Sequence, residues 1–171
     1  TYDNVQLILV NDGSTDCSDS IIKSYACELK DKFTEYIYIY QSNNGAASAV
    51  CNALKYVEGE YLCWADCDDE LLPDNIYKKY MFLKNNKEYG MVNCGAMAIS
   101  QDSGEILYKM IIPKGQRNEN MFKQIIDGIP VYPGVFMLRT QLLFDRLEAR
   151  KIYFNKEAGQ NYQLLLPVAY D

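Results

Sequence analysis

Glu60-Tyr61-Leu62-Cys63-Trp64-Ala65, followed at once by Asp66-Cys67-Asp68-Asp69-Glu70, is the stretch on which the fold turns. Six mostly apolar residues with aromatic and branched character predict a buried strand. Four acids in five positions then stand at its carboxyl end. Like charges at such range push one another's pKa upward, so the cluster lowers its energy by reaching solvent, by protonating or by holding a cation. Oxygen ligands favour a hard ion such as Mg²⁺ or Mn²⁺, which keeps positions open for water or phosphate oxygens. The plainer alternative is a solvated acidic turn ahead of a helix that begins at Pro73 and Asp74.

Outward from that strand the chain alternates. Val5-Gln6-Leu7-Ile8-Leu9-Val10 is a near-continuous apolar run, as for a strand covered on both faces. It leads into Asn11-Asp12-Gly13-Ser14-Thr15-Asp16, rich in turn formers and helix N-caps. A helix follows with Ile21, Ile22, Tyr25, Leu29 and Phe33 on one stripe. A strand over 36–40, a turn over 41–45 and a helix striped by Ala46, Ala47, Val50, Leu54 and Val57 come next. Strand, helix, strand, helix, strand is the pattern of a parallel sheet with helical crossovers, whose ligands bind beyond the carboxyl ends of the strands. Asp12 and the acids of 66–69 both stand at such ends, which predicts one shared crevice.

Past the cluster the sequence predicts a helix from Pro73 through Leu83, and strands over 91–100 and 105–112 around the hairpin turn Gln101-Asp102-Ser103-Gly104. A short helix over 118–127 follows, then a strand or loop over 131–138, where Pro133 and Gly134 fall. Helices are expected over 141–150 and 162–169, the last interrupted by Pro167.

The 171 residues, 49% hydrophobic and 23% charged, suffice for the core of one domain. A formal net charge of −6 without any basic run argues against the phosphate-neutralising surface of a nucleic-acid binder. Apolar stretches fall far short of a bilayer span, which predicts a cytoplasmic protein. Cys17, Cys27, Cys51, Cys63, Cys67 and Cys94 include no Cys-x-x-Cys pair and are expected as reduced thiols. Histidine is absent, which removes the usual zinc spacings and the Ser/His and Cys/His nucleophile pairs. Carboxylates are left for acid–base work.

Three segments together resemble the family-2 glycosyltransferases of the GT-A fold, in the family's order and spacing. They are Leu9-Val10-Asn11-Asp12-Gly13-Ser14-Thr15-Asp16, then Asn44-Gly45 leading through Asn52 to Gly59-Glu60-Tyr61, then Asp66-Cys67-Asp68-Asp69 with Leu72-Pro73. The resemblance implies an α/β, Rossmann-like nucleotide-diphospho-sugar transferase fold, with a mostly parallel mixed sheet flanked by helices. A single domain is implied, residues 1–100 binding the nucleotide-sugar and residues 101–171 facing the acceptor. Asp12, with Gly13, Ser14, Asn44 and Gly45, would bind the donor, Asp12 taking its base, most often uracil. Asp66 would face the ribose or sugar, and Asp66 and Asp68 would hold Mn²⁺ or Mg²⁺ against the diphosphate. The implied partners are a nucleotide-sugar donor and a glycan or lipid-linked acceptor, with peripheral association at the inner face of the membrane for the lipid-linked case.

Departures from the family pattern sharpen the expectations. Inverting members carry a Glu-Asp pair before a late helix, and its Asp deprotonates the acceptor; the matching segment here is Gly159-Gln160-Asn161-Tyr162-Gln163. An amide cannot take that proton. The catalytic candidates are therefore Glu157, as a substitute base, and Asn161, as a group that orients the acceptor. Cys51 stands where members often have an arginine before the Asn of the second motif. Members also begin with a further strand and helix, whereas this chain starts at Thr1, so the resemblance implies an N-terminally truncated fold. Residues 5–10 would then pair directly with 60–65, or self-association would cover the gap. Gly134-Val135-Phe136-Met137-Leu138-Arg139 is similar to the segment that lines the donor sugar or closes the sheet, with Arg139 either at the surface or reaching a phosphate. Two other classes compete: a nucleotide-sugar-binding module that lost the base, and an aspartyl-nucleophile phosphatase, which wants Thr or Val where Glu70 stands. A calcium loop of the EF-hand type is excluded by Leu71 at its glycine position.

Overall fold

The structure, a computed structural model, describes residues 2–111, 121–128, 131–154 and 159–170. Strand β1 (Gln6–Asp12) pairs in parallel with β2 (Glu35–Gln41), Leu9 opposite Tyr38 and Asp12 opposite Gln41. The crossover between them is two helices, α1 (Ser18–Ser24) and α2 (Ala26–Lys32), where the apolar stripe predicts one. Ser20 and Ser24 donate their hydroxyls to the carbonyls of Cys17 and Ile21, both at 2.7 Å, and such back-bonding loosens a helix just where Tyr25 breaks it. Neither helix buries a residue, and Ile21 and Tyr25 stay about half exposed. Helix α3 (Ala46–Leu54) packs on β1 and buries Ala47, Cys51 and Leu54.

The strand expected over 60–65 has a core of two residues, β3 (Tyr61–Leu62), followed after the acidic residues by α4 (Asn75–Asn85) and β4 (Met91–Asn93). Gly95 ends β4. A Cβ there would lie 2.7 Å from the carbonyl oxygen of Met110, and this close approach draws the next residues out of the sheet. They form a separate hairpin, β5 (Ala96–Ile99) with β6 (Ile106–Met110), about the turn read from the sequence. After α5 (Met121–Ile126) comes β7 (Phe136–Arg139), which lies between β3 and β4 and runs antiparallel to both. Helix α6 (Thr140–Phe144) and α7 (Asn161–Ala169) complete the order, α7 continuing through Pro167.

The expected direct pairing of residues 5–10 with 60–65 is not formed: β1 pairs with β2, and β3 pairs with β7. Parallel pairing is confined, among the described residues, to β1 and β2. The reason lies in β7, whose Phe136, Met137 and Leu138 are at most 3% exposed and so offer β3 a partner covered on both faces. Backbone bonds beyond the two paired residues lengthen that ladder, from Thr140 N–H to the Glu60 carbonyl (3.0 Å) and from Gly134 N–H to the Trp64 carbonyl (2.5 Å).

One core joins the layers. Ala47, Leu54, Leu138, Leu143, Leu164 and Leu165 meet in it, drawn from α3, β7, α6 and α7. Arg139 is half-buried and turned toward the backbone, not a surface residue. Its guanidinium caps the end of α4, donating to the carbonyls of Leu83 (2.6 Å) and Tyr89 (2.9 Å), and lies 5.5 Å from the Tyr61 ring. All six cysteines are free thiols. Among the described residues no helix is long and apolar enough to cross a membrane. Leu138→Ala is expected to cost ~2–5 kcal/mol of stability in urea unfolding, because it empties the centre of the shared core; a loss below about 1 kcal/mol would show that β7 is not the hub.

Candidate active site

Asp12 closes β1, and Gly13 follows at φ 68°. A Cβ on Gly13 would sit 2.6 Å from the backbone nitrogen of Asn43, so only glycine lets residues 41–45 approach this closely. Buried Asn11 shapes the turn, its Oδ1 accepting the Ser14 N–H at 2.8 Å and its Nδ2 donating to the Tyr38 hydroxyl at 3.2 Å. Both oxygens of Asp12 are engaged. Oδ1 accepts from Asn44 N–H (2.9 Å) and Gln41 Nε2 (2.7 Å), and Oδ2 accepts from Gly45 N–H (2.8 Å). Gln41 is fixed in turn by Asn52, whose Nδ2 donates to its Oε1 at 3.0 Å. The structure thus brings Asp12, Asn44 and Gly45 into one hydrogen-bonded group, with Gly13 set against the Asn43 backbone and Ser14 bonded to Asn11 beside it. A cavity of about 230 Å³ opens beside it, lined by Gln41, Asn44, Ser48 and Asn52 among others. Sequence reasoning missed the supporting roles of Asn11, Gln41 and Asn52, for which polar residues at a strand end and on the facing turn of α3 were the available signal.

The acids of the second group share one turn, closed by Asp69 N–H to the Asp66 carbonyl at 3.2 Å, and all of 66–70 are exposed. Partial burial, then the neighbouring carboxylates of Asp69 and Asp68, push the Asp66 carboxyl above the usual carboxylate range. Among the described residues no group of three or more Cys, Asp or Glu side chains is arranged as a metal cage. The donor chemistry still fits a hard cation: oxygen ligands that repel one another, at a strand end open to water and phosphate. Asp12 belongs to a separate hydrogen-bonded group, at the end of the other sheet.

Asn161 begins α7, and its Oδ1 accepts the Trp64 Nε1–H at 2.9 Å. Trp64 lies two residues before Asp66, so this bond sets Asn161 at the root of the acidic turn. Trp64 went unassigned from the sequence, although the chain's single tryptophan in a strand needs a partner for its N–H. Glu157 lies outside the described residues.

The family model of Glycosyl transferase family 2 matches residues 1–147. The chain belongs to that family. Among its relatives, an uncharacterized glycosyltransferase of Rickettsia typhi is 36% identical over 110 residues, covering 63% of this chain and 32% of that protein. The putative glycosyltransferase EpsH of Bacillus subtilis is 30% identical over 130 residues, covering 75% of this chain and 36% of its own length. The chain thus spans about a third of these two relatives. Among solved structures, residues 1–349 of S. aureus TarS in complex with UDP-GlcNAc align with a TM-score of 0.64 at 21% identity, over 96% of this chain and 44% of that one. The mannosyltransferase PcManGT of Pyrobaculum calidifontis, in complex with GDP-Man and Mn²⁺, aligns with a TM-score of 0.57 at 18% identity, over 92% of this chain and 40% of that one. At these identities the likeness establishes the fold, and the α/β GT-A fold expected from the motifs is borne out.

The raised Asp66 pKa has a signed consequence. A carboxyl that is harder to ionise in the folded state opposes folding once ionised, so its cost is absent below the unfolded pKa and grows as pH rises through it. Asp66→Asn is therefore expected to raise the melting temperature of the metal-free protein at neutral pH, with the gain vanishing below about pH 4. Thermal melts across pH check this; a gain that does not change with pH would contradict it.

Proposed function

We propose that this family-2 glycosyltransferase moves a sugar from a UDP-linked donor to a hydroxyl of a glycan or lipid-linked acceptor, with inversion, in the presence of a divalent ion. The observation that carries the reading is the acidic turn after β3, with Asn161 held at its root by Trp64. Support for the donor comes from fold neighbours, TarS in complex with UDP-GlcNAc and PcManGT in complex with GDP-Man and Mn²⁺.

Each residue group has a distinct task in this reading. Asp12, Gly13, Ser14, Asn44 and Gly45 would seat the nucleotide. Asp66 and Asp68 would hold Mn²⁺ or Mg²⁺, which when bound supplies positive charge opposite the departing diphosphate. Holding acceptor and donor in line then removes most of the entropic part of the barrier. Asn161 has its oxygen committed to the Trp64 N–H, because an indole nitrogen only donates. The amide nitrogen remains to donate to the acceptor oxygen, so Asn161 orients it and the proton leaves to water or to another group.

That same bond favours a second reading, a module that binds the nucleotide-sugar without efficient transfer. UDP-GlcNAc turnover with Mn²⁺ separates the two: turnover supports the transferase, and binding without turnover supports the module. For the donor site itself, UDP with Mn²⁺ is expected to raise the melting temperature. Asp68→Asn is expected to weaken Mn²⁺-dependent UDP binding more than tenfold by calorimetry, and unchanged affinity would remove the acidic turn from the site.

A further inference from the structure

Lys79, on α4, is 3% exposed, and its Nζ donates to the Gly134 carbonyl oxygen at 2.6 Å. Lysine is almost never fully buried unless paired. Among the described residues the ion pairs made by lysines involve Lys23, Lys78 and Lys123, not Lys79. Burial pushes its ammonium down from the usual lysine value, opposed by the Cys63 and Cys94 thiols. Keeping such a group in the interior is costly, and a methionine of similar volume would avoid the cost. One turn earlier on the same helix, Asn75 donates to Cys94 Sγ at 3.4 Å while its own buried Oδ1 has no hydrogen-bond partner among the described residues. This face of α4 is not built for stability alone.

The acceptor explains the cost. Gly134 has φ 76°, a conformation side chains rarely adopt. Its N–H reaches the Trp64 carbonyl. A Cβ built on it would lie 3.3 Å from Leu71 Cδ2, 3.7 Å from Ala65 Cβ and 3.9 Å from Asp69 Oδ2. Gly134 therefore faces residues before, within and after the acidic turn. The segment just after β3 grips it through Trp64, and Lys79 grips it from α4.

We propose that Lys79 is a positioning residue for the acidic turn: by holding the Gly134 carbonyl it fixes the backbone against which residues 65–71 are set, and thereby tunes how that turn holds a divalent cation with a nucleoside diphosphate. This deepens the donor-site reading and rests on it for the ligand, while the tether itself stands on the geometry. The test is Lys79→Met in the full chain, which removes the amine and keeps the volume. The melting temperature is expected to hold or rise. Amide exchange in peptides covering 64–72 and 132–136 is expected to quicken at least tenfold, with other core peptides unchanged. UDP affinity in Mn²⁺ is expected to fall at least fivefold. A lysine with only a structural role would lower the melting temperature without singling out those peptides. Unchanged exchange there in a folded variant overturns the proposal. If the wild-type protein does not bind UDP with Mn²⁺, the donor reading falls, and exchange still decides the tether. If Lys79→Met does not fold, Lys79→Gln, whose shorter arm cannot span the contact, is read by the same criteria.

Discussion

A single carboxylate ties the β1–β2 side of this molecule together. Asp12 receives hydrogen bonds from the amides of Asn44 and Gly45 and from the Gln41 side chain, which locks the end of β1 to the entrance of α3. Those amides precede a helix whose first turn would otherwise leave its donors without partners, and an anion there is favoured by the helix dipole as well. The carboxylate can lie so close only because Gly13 and Gly45 accept positive φ and Gly13 lacks a Cβ. The last pair of the β1–β2 register, Asp12 opposite Gln41, and the wall of the small cavity at Gln41 and Asn44 belong to this one arrangement.

The acidic side is organised differently, by backbone rather than by a buried anion. Strand β7 lies between β3 and β4, and Gly134 just ahead of it bonds the Trp64 carbonyl two residues before the acids begin. The carboxylates themselves are left exposed and mutually repelling, so the turn is held by its flanks and not by its own side chains. Like charges this close are eased by any cation that reaches them, so the turn is the natural place for the ion of the proposed donor site.

Much of this was legible in the sequence, for identifiable reasons. The run 5–10, the polar turn after it and the 101–104 hairpin each carry a period or a composition with one physical meaning, whereas the acid cluster left a cation site and a solvated turn both open. Strand β7 was less legible because Pro133 and Gly134 read as loop formers, whereas the left-handed glycine is what turns the chain into the strand two residues later. The break at Tyr25 was hidden because the apolar period continues across it and the cause is serine hydroxyls bonding to the backbone. Lys79 was hidden beside Lys78, since two adjacent lysines on a helix both read as solvent-facing. Which one turns inward depends on the rotation of α4, whose buried face carries Lys79 and Leu83. Asp12 was read as a ligand contact from motif alone, and its internal duty toward Asn44 and Gly45 emerges only in three dimensions.

The Asp12 turn and the acidic turn end different sheets, and in the proposed function they serve one ligand. Backbone amide NMR during titration with UDP and Mg²⁺, a diamagnetic ion, tests it most directly. The signals of Asn44 and Gly45 and those of residues 66–69 are predicted to shift together, along one saturation curve. Shifts confined to one of the two groups, or separate curves for each, would contradict it.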